Sequence, residues 1–348
     1  MNRIKMLHLI TGLDVGGAEK VVFDLSRSLK ALGHEVFVIG ISDKDRLREL
    51  FIEQYVNVRT LNVVKTVPSF IRGCKELYVF IKKNDIKIVH AHMAHALIMS
   101  VLIKLAIPKL KIVFTSHNFN LGSSMREIIV KVFKPFRNSD IIFSKNMQKS
   151  IYKKDAIIIP NGIDTLQYEL DVEKNAVFTF LCIGRIEPVK NHKYLVDIAV
   201  ALQKEFEFEI HIVGEGFLKK DLIAYIKEKN VNSRFKFLGY RKDINVICNQ
   251  SHVFVLPSLW EGLPISLLEA GASAMPVIST PVGSIPELID DNAGYLAELN
   301  VFLDKMKFVY FNYNDAIIKG KQLRENIKDK YDLNHIVDEH IKVYEKLL

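Results

Sequence analysis

Two glutamates, Glu261 and Glu269, flank the start of an apolar helical pattern in Leu259-Trp260-Glu261-Gly262-Leu263-Pro264-Ile265-Ser266-Leu267-Leu268-Glu269. The segment lies between two apolar runs of strand character, Val253 to Pro257 and Pro276 to Ser279. A carboxylate in the loop leaving a buried strand stands at the carboxyl edge of a sheet, where open α/β sheets bind their ligands. The second, expected two turns into the following helix, projects beside the same crevice. Pro264 suits the first turn of that helix and leaves the amides of Ile265 and Ser266 directed outward at the positive end of the helix dipole. The segment therefore offers carboxylates to hydroxyl groups and a helix terminus to an anion.

A second constellation follows an earlier strand, in Gly184-Arg185-Ile186-Glu187-Pro188-Val189-Lys190-Asn191-His192, with a helix opening just beyond. Two cations in a strand-to-helix loop, facing the crevice that the glutamates face, form a diphosphate clamp. A pair of solvated surface cations is the plainer reading, and the glutamates weigh against it. Near the N-terminus, Thr11-Gly12-Leu13-Asp14-Val15-Gly16-Gly17 also joins a strand to a helix and lets backbone approach a phosphate. It is not the GxGxxG of a dinucleotide site. His90, His92 and His95 suggest a metal, yet they straddle a strand end with no neighbouring acid, so core or loop histidines are the better reading.

The elements that must position these residues come in two series. Strand-like runs recur at Met6–Ile10, Glu35–Ile39, Asn57–Leu61, Ile86–His90, Lys111–Thr115 and Ile141–Ser144. They recur again at Val177–Ile183, Glu209–Val213, Arg234–Leu238, Val253–Pro257 and Pro276–Ser279. Helical stretches such as Tyr194–Phe206 and Leu218–Asn230 separate them, which is the βαβ signature of parallel sheets. A turn signal at Ile159-Pro160-Asn161-Gly162-Ile163-Asp164 and the polar stretch after it mark a linker. The reading is therefore a first doubly wound domain over residues 1–165, a second over 166–331, and a terminal helix over 332–348 docked across the domains. Two such domains facing each other enclose a central cleft.

A length of 348 residues agrees with two domains, and the composition excludes a disordered chain. The three cysteines, Cys74, Cys182 and Cys248, have no CxxC spacing, which argues against disulfides and a zinc knuckle and fits a cytoplasmic setting. The start, Met1-Asn2-Arg3-Ile4-Lys5, lacks the apolar core of a signal peptide. The longest apolar stretch, Ala94 to Ile107, contains Lys104 and is shorter than the roughly 20 residues that span a bilayer. A formal charge of +8 calls for an anionic partner, and without an RNP pattern, a helix-turn-helix or a Cys/His finger, nucleic acid is not expected. In Met125 to Arg137 the apolar residues Met125, Ile128, Ile129, Val132, Phe133 and Phe136 share one arc, with Arg126, Lys131, Lys134 and Arg137 opposite. Most such helices pack the apolar face on a core; the other reading is a landing surface for anionic lipid on the inner face of the plasma membrane.

Taken together, Gly184-Arg185 with Lys190, Gly214-Glu215-Gly216, and Glu261 with Glu269 occur in the order and spacing of one enzyme group. The chain resembles the retaining glycosyltransferases of family 4, which have the GT-B fold of two Rossmann-like domains. Gly16-Gly17-Ala18-Glu19, Pro160-Asn161-Gly162-Ile163-Asp164 and Pro281-Val282-Gly283-Ser284-Ile285-Pro286-Glu287 extend the match over almost the whole chain. The resemblance implies an acceptor-binding first domain and a second domain for a nucleoside diphosphate sugar, UDP slightly favoured over GDP. It implies that Arg185 and Lys190 hold the diphosphate and that Glu269 takes the ribose hydroxyls. Glu261 and His117 then stand beside the transferred sugar as catalytic or positioning groups. Gly16, Gly262, Leu263, Ile265 and Ser266 contact the donor, and Arg241, in Gly239-Tyr240-Arg241-Lys242-Asp243, lies near the base. Asn191 and Phe217 replace a glycine and a proline common in the family.

The implied activity is transfer of a hexose or hexosamine, with retention, to a glycan or a polyprenyl-diphosphate-linked acceptor in surface polysaccharide or lipopolysaccharide assembly. Departure of a nucleoside diphosphate builds negative charge that fixed cations and dipoles stabilise. With no DxD-like pair at a strand end to hold Mg²⁺, neither a metal nor another cofactor is expected. Glu261 is the only obvious carboxylate at the reacting centre, and the resemblance favours front-face substitution over double displacement. Two rivals share this architecture or site: a sugar-nucleotide epimerase, and a non-catalytic nucleotide-sugar or glycan binding protein.

Overall fold

The computed structural model describes residues 3–117, 124–148 and 156–348, apart from the side chains of Ser124 and Arg126. Met1, Asn2 and the Arg126 side chain, which enter the sequence reading, lie outside the described residues. The chain divides into two compact units, Met1–Gly162 with Leu333–Leu348, and Ile163–Asp332.

The first unit is built on β1 (Lys5–Ile10), β2 (Glu35–Gly40), β3 (Asn57–Thr60), β4 (Ile88–His92), β5 (Lys111–Thr115), β6 (Ser139–Ile142) and β7 (Ile157–Ile158). Their order across the sheet is β3-β2-β1-β4-β5-β6-β7, with every pair parallel. The strand order reverses between β1 and β4, where His8 pairs with His90 and Ile10 with His92. β1, β4 and β5 are almost wholly buried, as parallel strands covered by helices on both faces must be. The terminal helix Leu333–Glu345 buries Ile336, Val337, Ile341 and Tyr344 in one cluster with Ile4, Met6, Leu25 and Leu29, so it completes the core of this unit.

The second unit carries β8 (Thr179–Ile183), β9 (Glu209–Val213), β10 (Phe235–Gly239), β11 (Val253–Leu256), β12 (Val277–Ser279) and β13 (Tyr295–Leu296). The order β10-β9-β8-β11-β12-β13, again all parallel, repeats the winding of the first sheet and reverses between β8 and β11. Phe180, Phe208, Ile210, Val253 and Phe302 are fully buried in its core.

Most expected strands are present, and the departures have local causes. The run read as Ile86–His90 is shifted to Ile88–His92 because Ile86 belongs to the stop that closes the preceding helix, Val67–Lys83. With Asp85 left-handed (φ 48°), the Ile86 amide donates to Ile81 O (3.1 Å) and the Asp85 amide to Lys82 O (3.3 Å), the two bonds of a Schellman stop. Ser144, read as strand, caps the next turn: its hydroxyl accepts from the Met147 amide at 3.1 Å. β7 and β13 have only two residues each, too few to show a period in sequence.

The basic helix also departs from expectation. It spans Ser124–Val132 and is followed by a 3-10 turn at Lys134–Phe136. Its apolar arc is not packed as a whole. Val130, off the arc, is buried, whereas Met125, Ile128 and Val132 are 65%, 54% and 59% exposed. The helix meets the neighbouring Met93–Ala106 helix, which leaves those three side chains outside the contact. Among the described residues no helix is long and apolar enough to cross a membrane.

Candidate active site

In the second unit the loops leaving β8 and β11 flank the point where the strand order reverses, the position at which doubly wound sheets leave a crevice. The Leu259 amide donates to Val189 O at 2.8 Å and ties the two loops together. Lys190 and Glu261 meet across this tie, Lys190 Nζ lying 2.5 Å from Glu261 Oε1. Ser258 Oγ donates to the same oxygen at 2.6 Å. Glu261 is buried, and its Oε2 has no hydrogen-bond partner among the described residues. The carboxylate is thus held by one oxygen and presents the other.

The glycines of the neighbouring motifs explain why these loops come so close. Gly214 is left-handed (φ 136°), and a Cβ there would overlap the Gly184 carbonyl oxygen. Gly283 (φ 61°) lies against the Glu261 carbonyl, and the Ser284 amide donates to Gly262 O at 3.0 Å. Gly-x-Gly and Pro-Val-Gly-Ser therefore brace the two site loops from either side, backbone against backbone. Asn191 is left-handed (φ 54°), so asparagine serves where the family often has glycine.

Glu269 is the fifth residue of the helix Ile265–Ala272, a little over one turn in, where two turns were expected. Its Oε1 accepts from Tyr168 Oη at 3.0 Å, a contact the sequence did not signal because Tyr168 lies in a 3-10 turn far upstream. Pro264 is the N-cap and not the first helical residue, with ψ 122°. This leaves Ile265 and Ser266 at the helix start, where amides have no intrahelical acceptor. Gly262 and Leu263 lie between these amides and Glu261.

Two expected cations are each paired with a carboxylate two residues on. Arg185 is 62% exposed and pairs with Glu187 at 3.0 Å. Arg241 forms a two-pronged contact with Asp243, Nε to Oδ1 at 2.8 Å and an Nη to Oδ2 at 2.5 Å. It follows β10, the outer strand, two strands from β8, or roughly 10 Å across the sheet. The structure does not bring it together with Lys190 and Glu261. His192 was not singled out in sequence; it is buried with neither ring nitrogen hydrogen-bonded among the described residues, and burial and then Lys190 lower its pKa to about 4.

The first unit gathers histidines around its own strand reversal. His117, left-handed (φ 60°) just past β5, puts Nε2 2.8 Å from His92 Nδ1, and His92 Nε2 is 3.0 Å from His8 Nδ1. His90 meets Tyr344 Oη at 2.7 Å through Nδ1 and Thr115 Oγ1 at 2.8 Å through Nε2. Burial drives the pKa of His8 and of His117 down to about 3, and those of His90 and His92 well below the usual value. The nitrogens of His8, His90 and His92 lie within 4.8 Å of one another, but His90 spends both on hydroxyls; His95, the third of the trio noted in sequence, is exposed on the next helix. The sequence signal for His8 was a polar residue inside an apolar strand. A cavity of about 20 Å³, room for about one water, is lined by Asp24, His90, His92, His117, Asn161 and His340. Gly16 is the extended N-cap (φ −176°) of the helix Gly17–Ala31, and its carbonyl accepts from the Lys20 amide at 3.0 Å.

Comparison with known proteins agrees with this architecture. The family described as Glycosyltransferase Family 4 matches residues 15–167, and that described as Glycosyl transferases group 1 matches residues 177–309. The Escherichia coli UDP-Gal:alpha-D-GlcNAc-diphosphoundecaprenol alpha-1,3-galactosyltransferase is 26% identical over 99% of this chain and 97% of its own. The gpi3 subunit of the Schizosaccharomyces pombe phosphatidylinositol N-acetylglucosaminyltransferase is 25% identical over 95% of this chain and 78% of its own. Among solved structures, Anabaena HepE in complex with UDP-glucose superposes with a TM-score of 0.87 at 17% identity, covering 99% of this chain and 100% of HepE. The fold is that of these GT-B enzymes.

Proposed function

Because this chain belongs to glycosyltransferase family 4, we propose that it moves a hexose or hexosamine from a UDP-sugar to a glycan or polyprenyl-diphosphate-linked acceptor in surface polysaccharide assembly, retaining the anomeric configuration. The observation that carries the reading is the Lys190–Glu261 pair at the strand reversal of the second unit, with Glu269 on the adjoining helix. UDP is preferred over GDP on the strength of the galactosyltransferase named for UDP-Gal and the HepE complex with UDP-glucose.

In this reading the second unit holds the donor and the first the acceptor. Lys190 and Arg185 neutralise the diphosphate, joined by the amides of Ile265 and Ser266, and Glu269 accepts from the ribose hydroxyls. Arg185 exchanges its exposed partner Glu187 for phosphate. Arg241 lies toward the base, and Gly16 approaches the diphosphate. The bond from the anomeric carbon to the β-phosphate oxygen breaks while the acceptor hydroxyl bonds to the same carbon. Its proton passes to the departing phosphate, so no protein base is needed. Glu261, anchored through Oε1, directs Oε2 to the transferred sugar, and His117 contacts its hydroxyls. Cations and dipoles supply the leaving-group stabilisation that a metal supplies elsewhere, so transfer persists in EDTA. The exposed Met125, Ile128 and Val132 enter the membrane that carries a lipid-linked acceptor.

The test is transfer from UDP-glucose, UDP-galactose, UDP-N-acetylglucosamine and GDP-mannose to a synthetic polyprenyl-diphosphate sugar in EDTA, with the product anomer read by NMR. An α-linked product from a UDP-sugar supports the reading. Sugar release or isomerisation without an acceptor favours an epimerase, and binding without turnover a non-catalytic protein.

A further inference from the structure

Three buried imidazoles, His8, His92 and His117, form a single hydrogen-bonded row. His8 Nδ1 is 3.0 Å from His92 Nε2, and His92 Nδ1 is 2.8 Å from His117 Nε2. A neutral imidazole has one N–H and one bare nitrogen, so two simultaneous hydrogen bonds force the three rings to share one direction. Burial keeps them neutral: among the described residues no acid is hydrogen-bonded to any of them, and the titratable groups that act on the row are other histidines, His90 and His340 among them.

Only two directions exist. In one, His117 donates from Nε2 to His92, His92 donates from Nε2 to His8, and His8 is left with an N–H on its own Nε2. In the other the protons run outward, His8 Nε2 is a bare lone pair, and His117 carries its hydrogen on Nδ1. His8 Nε2 is fully buried and has no hydrogen-bond partner among the described residues. Stranding an N–H there costs more than stranding a lone pair, which settles the direction. His90 imposes no contrary constraint, because both of its partners are hydroxyls that can donate or accept.

We infer that His8 and His92 are positioning residues that hold His117 as its Nδ1–H tautomer, so that it meets a ligand as a hydrogen-bond donor and not as a proton acceptor. The inference rests on the reading that His117 lies beside the transferred sugar, and it fixes what that contact does. His117 donates to a sugar oxygen and takes no proton from the acceptor. Among the described residues its Nδ1 has no protein partner, so the donor is available.

The test is a long-range ¹H–¹⁵N correlation spectrum of the ¹⁵N-histidine-labelled full chain at neutral pH without ligand, with His117 assigned by its loss in His117→Gln. The expected pattern is a protonated Nδ1 and a bare Nε2. His92→Asn, whose amide can donate where Nδ1–H did, keeps the pattern. His92→Leu, which removes the donor, lets the Nε2–H tautomer appear and raises donor KM about tenfold, the weight of one hydrogen bond; His92→Asn restores KM. A wild-type His117 protonated on Nε2 overturns the inference without any variant, as does an unchanged pattern in folded His92→Leu. The spectrum needs no turnover, so absence of sugar transfer counts against the proposed function alone.

Discussion

Lys190 Nζ and Glu261 Oε1 stand 2.5 Å apart at the reversal point of the second sheet, each on a different loop and both largely removed from water. A cation chosen to hold a diphosphate is thus already neutralised by the carboxylate chosen to face the sugar. Under the proposed function, donor binding shares Lys190 between the two anions. The pair keeps the lysine in place before substrate arrives, and the pull of the second anion strengthens as the diphosphate leaves.

Breaking the pair separates stability from catalysis. Lys190→Ala leaves Glu261 buried beside Ser258 alone and is expected to cost on the order of 3 kcal/mol of stability. Lys190→Met with Glu261→Gln removes both charges and recovers most of that in urea melts. Neither protein recovers transfer, because the transition state loses on the order of 3 kcal/mol of stabilisation without the cation.

Glu269 carries a separate prediction. UDP is expected to raise the melting temperature of the wild type, and Glu269→Ala to abolish that shift, with a ligand-free melting temperature lowered by the loss of the Tyr168 hydrogen bond. Tyr168→Phe removes one hydrogen bond to the same carboxylate and weakens UDP binding by about 1 kcal/mol, read by calorimetry.

The bracing glycine can be tested against a control. Gly33 (φ 88°) has nothing within 4 Å of an added Cβ, so Gly33→Ala costs only left-handed strain, about 1 kcal/mol. Gly283→Ala (φ 61°) adds overlap with the Glu261 carbonyl, and is expected to cost more in thermal stability and to lower kcat. Equal effects of the two would show that the Gly283 loop does not brace Glu261.

The buried histidines make stability depend on pH. His8 and His117 titrate at about 3 when folded and His340 at about 4, against 6.5 in an unfolded chain. The unfolded chain therefore binds more protons in the window between, so their contribution is complete above pH 6.5 and is lost as the pH falls toward 4 and 3. Urea midpoints should decline from pH 6.5 to 5, above the range of the carboxylates. His340→Gln, which can still donate to Ile336 O, should flatten the decline by about 1.4 kcal/mol per pH unit.

The proposed membrane contact rests on three exposed side chains, Met125, Ile128 and Val132. Wild type is expected to cosediment with anionic vesicles at low salt and to release at high salt, since the attraction is partly electrostatic. Met125→Ser, Ile128→Ser and Val132→Ser together should abolish the low-salt binding and leave transfer to a water-soluble acceptor intact. Cosedimentation of the triple variant equal to wild type would move the contact elsewhere.

Local order determined a large part of this protein. Runs such as Glu209–Val213 and Lys111–Thr115 read as strands because buried parallel strands are continuous apolar segments, and their alternation with helical patterns already implied two doubly wound sheets. Lys190, Glu261 and Glu269 could be singled out in sequence because loops at the carboxyl ends of such strands are where doubly wound sheets bind ligands. Tertiary structure decided what no spacing encodes. Lys190 and Glu261 share an ion pair because the Leu259 amide reaches Val189, a contact between loops far apart in the chain. Tyr168 reaches Glu269, His8 reaches His92 through the strand pairing of β1 with β4, and Arg241 falls in the loop after the outer strand. Helix stops at Asp85 and Asn230 use left-handed residues other than glycine, so the exact frame of β4 was set by hydrogen bonds to the previous helix. Periodicity reports which face a residue turns to the core; which partner it meets there depends on the winding order of the sheet, and that is a property of the folded chain.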